Sequence, residues 1–169
     1  MLIEAAIVMP LLLTLVMGII EFGMVFSDMQ TVGASTRAGA RAAVAYSRQA
    51  NYDVQAVNAV ASALTARTSG TPIEMWIYKV GSSGNDPASP GCSSQCQHYL
   101  WNDATKSWDL QPGSVWAYDD MNACTLPLDE LGVRVRVKHH MLTGLFGDSI
   151  TLTDTTVMRL EPQPLSVCP

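Results

Sequence analysis

From Ala5 to Ile20 the chain carries no charge, and Thr14 is its only polar side chain. Crossing the hydrocarbon core takes about 20 mostly apolar residues. The run is slightly short alone and becomes long enough when Phe22 to Phe26 are added, which places Glu21 inside it. Glu4 and Glu21 are separated by ~25 Å along a helix at 1.5 Å per residue, close to the hydrocarbon thickness of about 30 Å. The two carboxylates are therefore expected near opposite interfaces. A cleaved signal peptide would want a basic start, a shorter apolar core and a small-residue cleavage site. Here no basic residue precedes Arg37 and no small-x-small site precedes the polar region. The helical pattern continues through Ser27 to Arg48, with Ala34, Ala38, Ala42 and Ala45 at spacings of three to four. The pattern predicts one long helix from about residue 2 to about residue 48, half in the membrane and half projecting. Pro10 removes one backbone hydrogen bond and is expected to bend it.

Small residues at helical spacing let two helices approach closely. Gly18, Ala34, Ala38 and Ala42, with Pro10, are therefore the expected helix-packing positions, and the alanine stripe is also suited to packing on a sheet. Arg37, Arg41 and Arg48 fall on one helical face, either as a solvated basic face or as a contact for lipid headgroups or a neighbouring subunit's acid. Glu21 is expected at the outer interface, near water, or paired with Arg37 or Arg41 of a neighbour.

The rest of the chain has the composition of a soluble domain, so the division expected is 1–48 for the helix and 49–169 for an extracytoplasmic α+β domain. Asn51 to Arg67 reads as a second helix, capped by Asp53, with Val54, Val57, Ala61 and Leu64 as its apolar period. Pro72 to Val80 alternates as a strand, with Ile73, Met75 and Ile77 opposite Trp76 and Tyr78. Residues 81–95 read as a loop. His98–Trp101 and Ser107–Leu110 read as a hairpin, and Ser114–Ala123 as a short helix or irregular turn. Gly132–His139 alternates Val133, Val135 and Val137 against Arg134, Arg136 and Lys138. Ser149–Leu160 is the last strand. The sum is α+β, with a long N-terminal helix and an antiparallel sheet of four or five strands.

All four cysteines, Cys92, Cys96, Cys124 and Cys168, lie downstream of the apolar run. An even count in a loop-rich region points to disulfides in an oxidising compartment. Three connectivities are open; Cys92–Cys96 with Cys124–Cys168 is favoured. The rival is a zinc site using Cys92, Cys96, His98, His139 and His140, although the cysteine spacing is not a common ligand pair. The net charge of -5 argues against a nucleic-acid or anionic-lipid surface of the usual basic kind. A tethered enzyme would have to draw on His98, His139, His140, Asp119 and Asp120, and no G-x-S-x-G, H-E-x-x-H or phosphate loop is present. No cofactor is expected. A ligand-binding or adhesive module would use Trp101, Trp108 and Trp116 as contacts.

Glu4-Ala5-Ala6-Ile7-Val8-Met9-Pro10-Leu11-Leu12-Leu13, followed by Gly18-Ile19-Ile20-Glu21-Phe22-Gly23, resembles the TadE-like family of tight-adherence pilus systems. Ala38-Gly39-Ala40-Arg41-Ala42-Ala43 is similar to the family's following small-residue and arginine segment. Gly132-Val133-Arg134-Val135, Leu145-Phe146-Gly147 and Val157-Met158-Arg159-Leu160-Glu161 resemble its far end, and the insertion at 81–127 resembles actinobacterial members. The resemblance implies a pilin-like fold and a structural or assembly subunit, not an enzyme, with other pilin-like subunits and membrane assembly machinery as partners in a homo- or hetero-oligomer. It implies a single-pass protein of the cytoplasmic membrane with its domain outside, or a subunit of an extracellular pilus, with the bilayer as surroundings before assembly. In pilin-like proteins a peptidase trims a short leader, and a Glu at the fifth mature position helps docking into the fibre. Here the Glu is fourth, which leaves open whether Met1 is a start or a processed terminus. A carboxylate in a dry helical core is costly unless paired, and the amino terminus of an adjacent subunit is the natural partner for Glu4.

Overall fold

The computed structural model describes residues 2–65, 68–81, 92, 94–113, 115–144, 147–164 and 168, with the side chains of residues 2–4 outside that description. The elements in order are α1 (Leu2–Ala45), α2 (Tyr52–Thr65), β1 (Thr71–Lys79), β2 (Cys96–Asn102), β3 (Ser107–Leu110), a 3-10 turn at Tyr118–Asp120, β4 (Glu130–His140) and β5 (Ser149–Arg159). Strand alternation sets the two faces of the sheet, because successive side chains point to opposite sides. Val133, Val135 and Val137 of β4 are fully buried, as are Met75 and Ile77 of β1. Arg134, Arg136 and Lys138 take the other face. The five strands pair antiparallel in the order β3-β2-β1-β4-β5. Both helices lie on the valine face, so the fold is α+β with one helical layer on one sheet. On the outer face Tyr78 lies across Gly132, where an added Cβ would meet its ring at 2.3 Å. Trp76, Tyr78 and Cys96 form a small cluster there with Cys92 and Val80.

The second half of α1 is part of this core. Val32, Ala40, Ala43 and Val44 pack with Tyr52, Ala56, Val60 and Leu64 of α2 and with the sheet. The buried face of α2 is therefore not the expected Val54, Val57 and Ala61, although Leu64 is common to both. Val54 is exposed. The small Ala56 and the glycine at 39 bring the two helices together instead: a Cβ on Gly39 would lie 2.5 Å from Val60 Cγ2. Asp53 is not the N-cap. It lies in the first turn, where it accepts bonds from Val54 N–H and from the Tyr99 hydroxyl, both at 2.8 Å.

The first half of α1 stands clear of the domain. Ile7, Leu11, Leu13 and Ile19 are each more than half exposed, and the helix runs through Pro10 without a break in assignment. Thr14 satisfies its hydroxyl on Leu11 O at 2.9 Å, so this stretch has no unmet polar side chain among its described residues. By length and composition α1 can cross a membrane.

Candidate functional site

Where α1 meets the domain, its buried face is polar. Glu21, Asp28 and Ser35 recur every seven residues and so stack along one side of the helix. Glu21 is only 1% exposed. The N–H of Thr143, in the connection between β4 and β5, donates to it at 3.1 Å, and the Thr143 hydroxyl donates as well. Asp28, 3% exposed, lies 2.7 Å from His139 Nδ1 at the end of β4. It also accepts from the Ser69 hydroxyl at 2.8 Å and the Ser69 N–H at 3.2 Å. With Asp28 ionised, Nδ1 carries the hydrogen. Thr36 donates to the Asp154 carboxylate and accepts from the Thr156 hydroxyl at 3.0 Å. Ser35 closes on its own helix, at Val32 O, 2.7 Å away.

Buried carboxylates cost several kcal/mol each unless their lone pairs are satisfied. Here the last β4 residues, the β4–β5 connection and Ser69 satisfy them. The arrangement fixes the rotation and height of α1 against the sheet. Its hydroxyls donate to the carboxylates and are taken up in holding α1 in place, and among the described residues no three His, Cys, Asp or Glu side chains converge.

The expected water-facing Glu21 is thus corrected: it is buried and bonded within its own chain. Its partner lies 122 residues away, beyond the reach of any local pattern. The seven-residue recurrence of 21, 28 and 35 was the signal that could have pointed to the seam. Of the expected packing positions, Ala34 is exposed and Ala38 and Ala42 are half-buried. The face seated on the domain is Val32, Thr36, Ala40 and Ala43, turned from the alanine stripe because the polar seam sets the rotation. Pro10 lies exposed on the bare half of α1, whereas Gly18, just before the seam, is buried. Arg37 and Arg41 are exposed on α1. Arg48 does not share their face. It follows the helix at φ 64° and donates to Met121 O at 2.8 Å and Asp119 O at 3.3 Å. The Glu4 side chain lies outside the described residues.

Cys92 is bonded to Cys96, and Cys124 to Cys168. With all four sulfurs paired, the zinc rival has no thiolates to use. The remaining polar candidates do not meet. His98 sits on the outer sheet face, stacked on Trp76 at 4.9 Å and 3.1 Å from Glu74. His139 is on the inner face, and His140 is exposed at the strand end. Asp119 and Asp120 are exposed on the 3-10 turn. Burial pushes the phenols of Tyr52 and Tyr99 well above their ordinary value, the latter helped by its bond to Asp53, so both stay protonated. Trp116 is fully buried, which removes it as a surface contact. Trp101 and Trp108 are half-buried and pack edge to face at 5.3 Å.

An apolar helix long enough to cross a membrane, keyed by a polar seam into a five-stranded antiparallel sheet, defines a helix-led α+β protein. The N-terminal segment is that of a TadE-like protein: the model of the TadE-like protein family matches residues 1–41. The match takes in the bare half of α1 and the seam residues Glu21, Asp28 and Thr36, and it associates the chain with tight-adherence pilus systems. It ends at residue 41, so the likeness at 131–161 stays a sequence-based expectation. Neither the curated proteins nor the solved structures hold a match to the chain.

Proposed function

We propose that this chain is a structural or assembly subunit of a tight-adherence-type pilus, taken into a fibre or complex through α1. One observation carries the reading. Leu12, Leu15, Ile19, Phe22, Phe26 and Met29 alternate at spacings of three and four, and every one is more than half exposed. Such a 3–4 repeat is the seam a partner helix covers. A bilayer accounts for only part of it. About 20 residues fill the hydrocarbon, so counted from Ala5 the apolar core ends near residue 24. Phe26 and Met29 lie beyond that point, exposed beside the domain. The partners that suit them are other pilin-like subunits, with Glu4 meeting a neighbour's amino terminus and Arg37 and Arg41 free to meet a neighbour's acids.

Before assembly the chain resides in the cytoplasmic membrane by one pass, with the domain outside. Two disulfides in that domain support an oxidising compartment. The test is a complementation assay with Phe26→Ser. Membrane level and disulfide formation are expected to match the parent, because the side chain is 62% exposed, while surface assembly is lost. Normal assembly by this variant would remove the seam as the assembly surface.

A further inference from the structure

Leu142, in the β4–β5 connection, is 69% exposed, and Ile150, at the start of β5, is 41% exposed. Both lie at the end of the domain that grips Glu21. We propose that Leu142 and Ile150 form a second membrane contact, docking at the hydrocarbon–headgroup boundary of the phospholipid bilayer that α1 spans; the inference rests on the anchoring read above.

Depth carries the argument. Counted from Ala5, Glu21 lies ~24 Å along the helix axis at 1.5 Å per residue, short of the hydrocarbon thickness of about 30 Å. Helix tilt brings it no nearer to water. Counted from Leu2, Glu21 falls at the hydrocarbon edge. Thr143 donates directly to Glu21, so it stands at the same level. Leu142, its neighbour, leaves most of its side chain uncovered at that level. Unmet backbone groups are costly in a dry setting, and three N–H groups among the described residues of the loop are met. Thr143 N–H goes to Glu21, Met141 N–H goes to Asp148 O at 3.0 Å, and Gly147 N–H goes to Gly144 O at 3.3 Å. Gly144 and Gly147 take φ of 68° and 101°, which closes the turn. Glu21 itself has its charge met before it reaches lipid. Lys138 and His140, the last exposed β4 residues before the loop, stand where headgroup phosphates would be, and Asp148 marks its other end.

The test uses the full chain in phosphatidylethanolamine–phosphatidylglycerol vesicles. Because the native cysteines are bridged, Leu142→Cys supplies one thiol for a nitroxide label. Leu13→Cys on the bare helix and Ser107→Cys on β3 are the references, and all three positions are exposed. The label at 142 is expected to lose most of the accessibility to a water-soluble nickel chelate seen at 107, and to gain accessibility to oxygen. If 142 behaves as 107 does while 13 is shielded, the loop docking is overturned and the anchor stands. If 13 is as open to the chelate as 107, the anchor reading falls and the loop proposal falls with it.

Discussion

Asp28 and His139 are a hydrogen-bonded pair with almost no access to water, and the Nε2 of His139 has no partner among the described residues. Removing one member of a buried pair leaves the other uncompensated, at a cost of about 3–5 kcal/mol. Asp28→Leu is therefore expected to destabilise the domain by about 3 kcal/mol or more, read by urea unfolding. Replacing both, as Asp28→Leu with His139→Leu, is expected to return most of that loss, because no buried polar atom of the pair is left. Ser69 is exposed and turns to water. A double variant as unstable as the single would mean the seam contributes net stability rather than orientation. From sequence, an acid on such a helix reads as an interface marker. Its burial depends on Ser69 and His139, 41 and 111 residues away.

The strands were legible because their alternation is strict. Val133, Val135 and Val137 point inward as their spacing implies, and the five antiparallel strands match the expected four or five. The hairpin of β2 and β3 was equally plain. The helices were legible in extent but not in rotation. Val54 and Val57 outrank Ala56 in hydrophobicity, yet close approach to α1 selects the small residue. Such approach is a property of two elements together and is invisible in either alone. It hinges on Gly39. Small additions to a packed contact cost about 1–3 kcal/mol, while replacing a helical glycine returns about 1 kcal/mol. Gly39→Ala is thus expected within about 2 kcal/mol of the parent. Gly39→Leu, which cannot be absorbed against Val60, is expected to lose at least about 3 kcal/mol. Thermal melts of the pair separate the two.

At the level of the molecule, the two bridges differ in what they close. Cys124–Cys168 spans 44 positions and Cys92–Cys96 spans 4. Loop-closure entropy gives about 4 kcal/mol for the long bridge and about 2 kcal/mol for the short one. Replacing both cysteines of the long bridge by serine should therefore cost roughly twice as much unfolding free energy as replacing those of the short one, measured in urea; equal losses would place the tail's contribution elsewhere. Among the described residues, by contrast, no side-chain hydrogen bond joins the domain to α1 before Glu21, where the seam begins. They behave as a vane on a shaft. The vane's heading is set by the phase of the shaft, so one residue added just before Glu21 would swing the whole sheet by about 100° around the helix axis. Seven added residues would bring it back to within about 20° while raising it by ~10 Å. Which way the outer face of the sheet looks relative to the bare half of α1 is thereby a matter of counting residues.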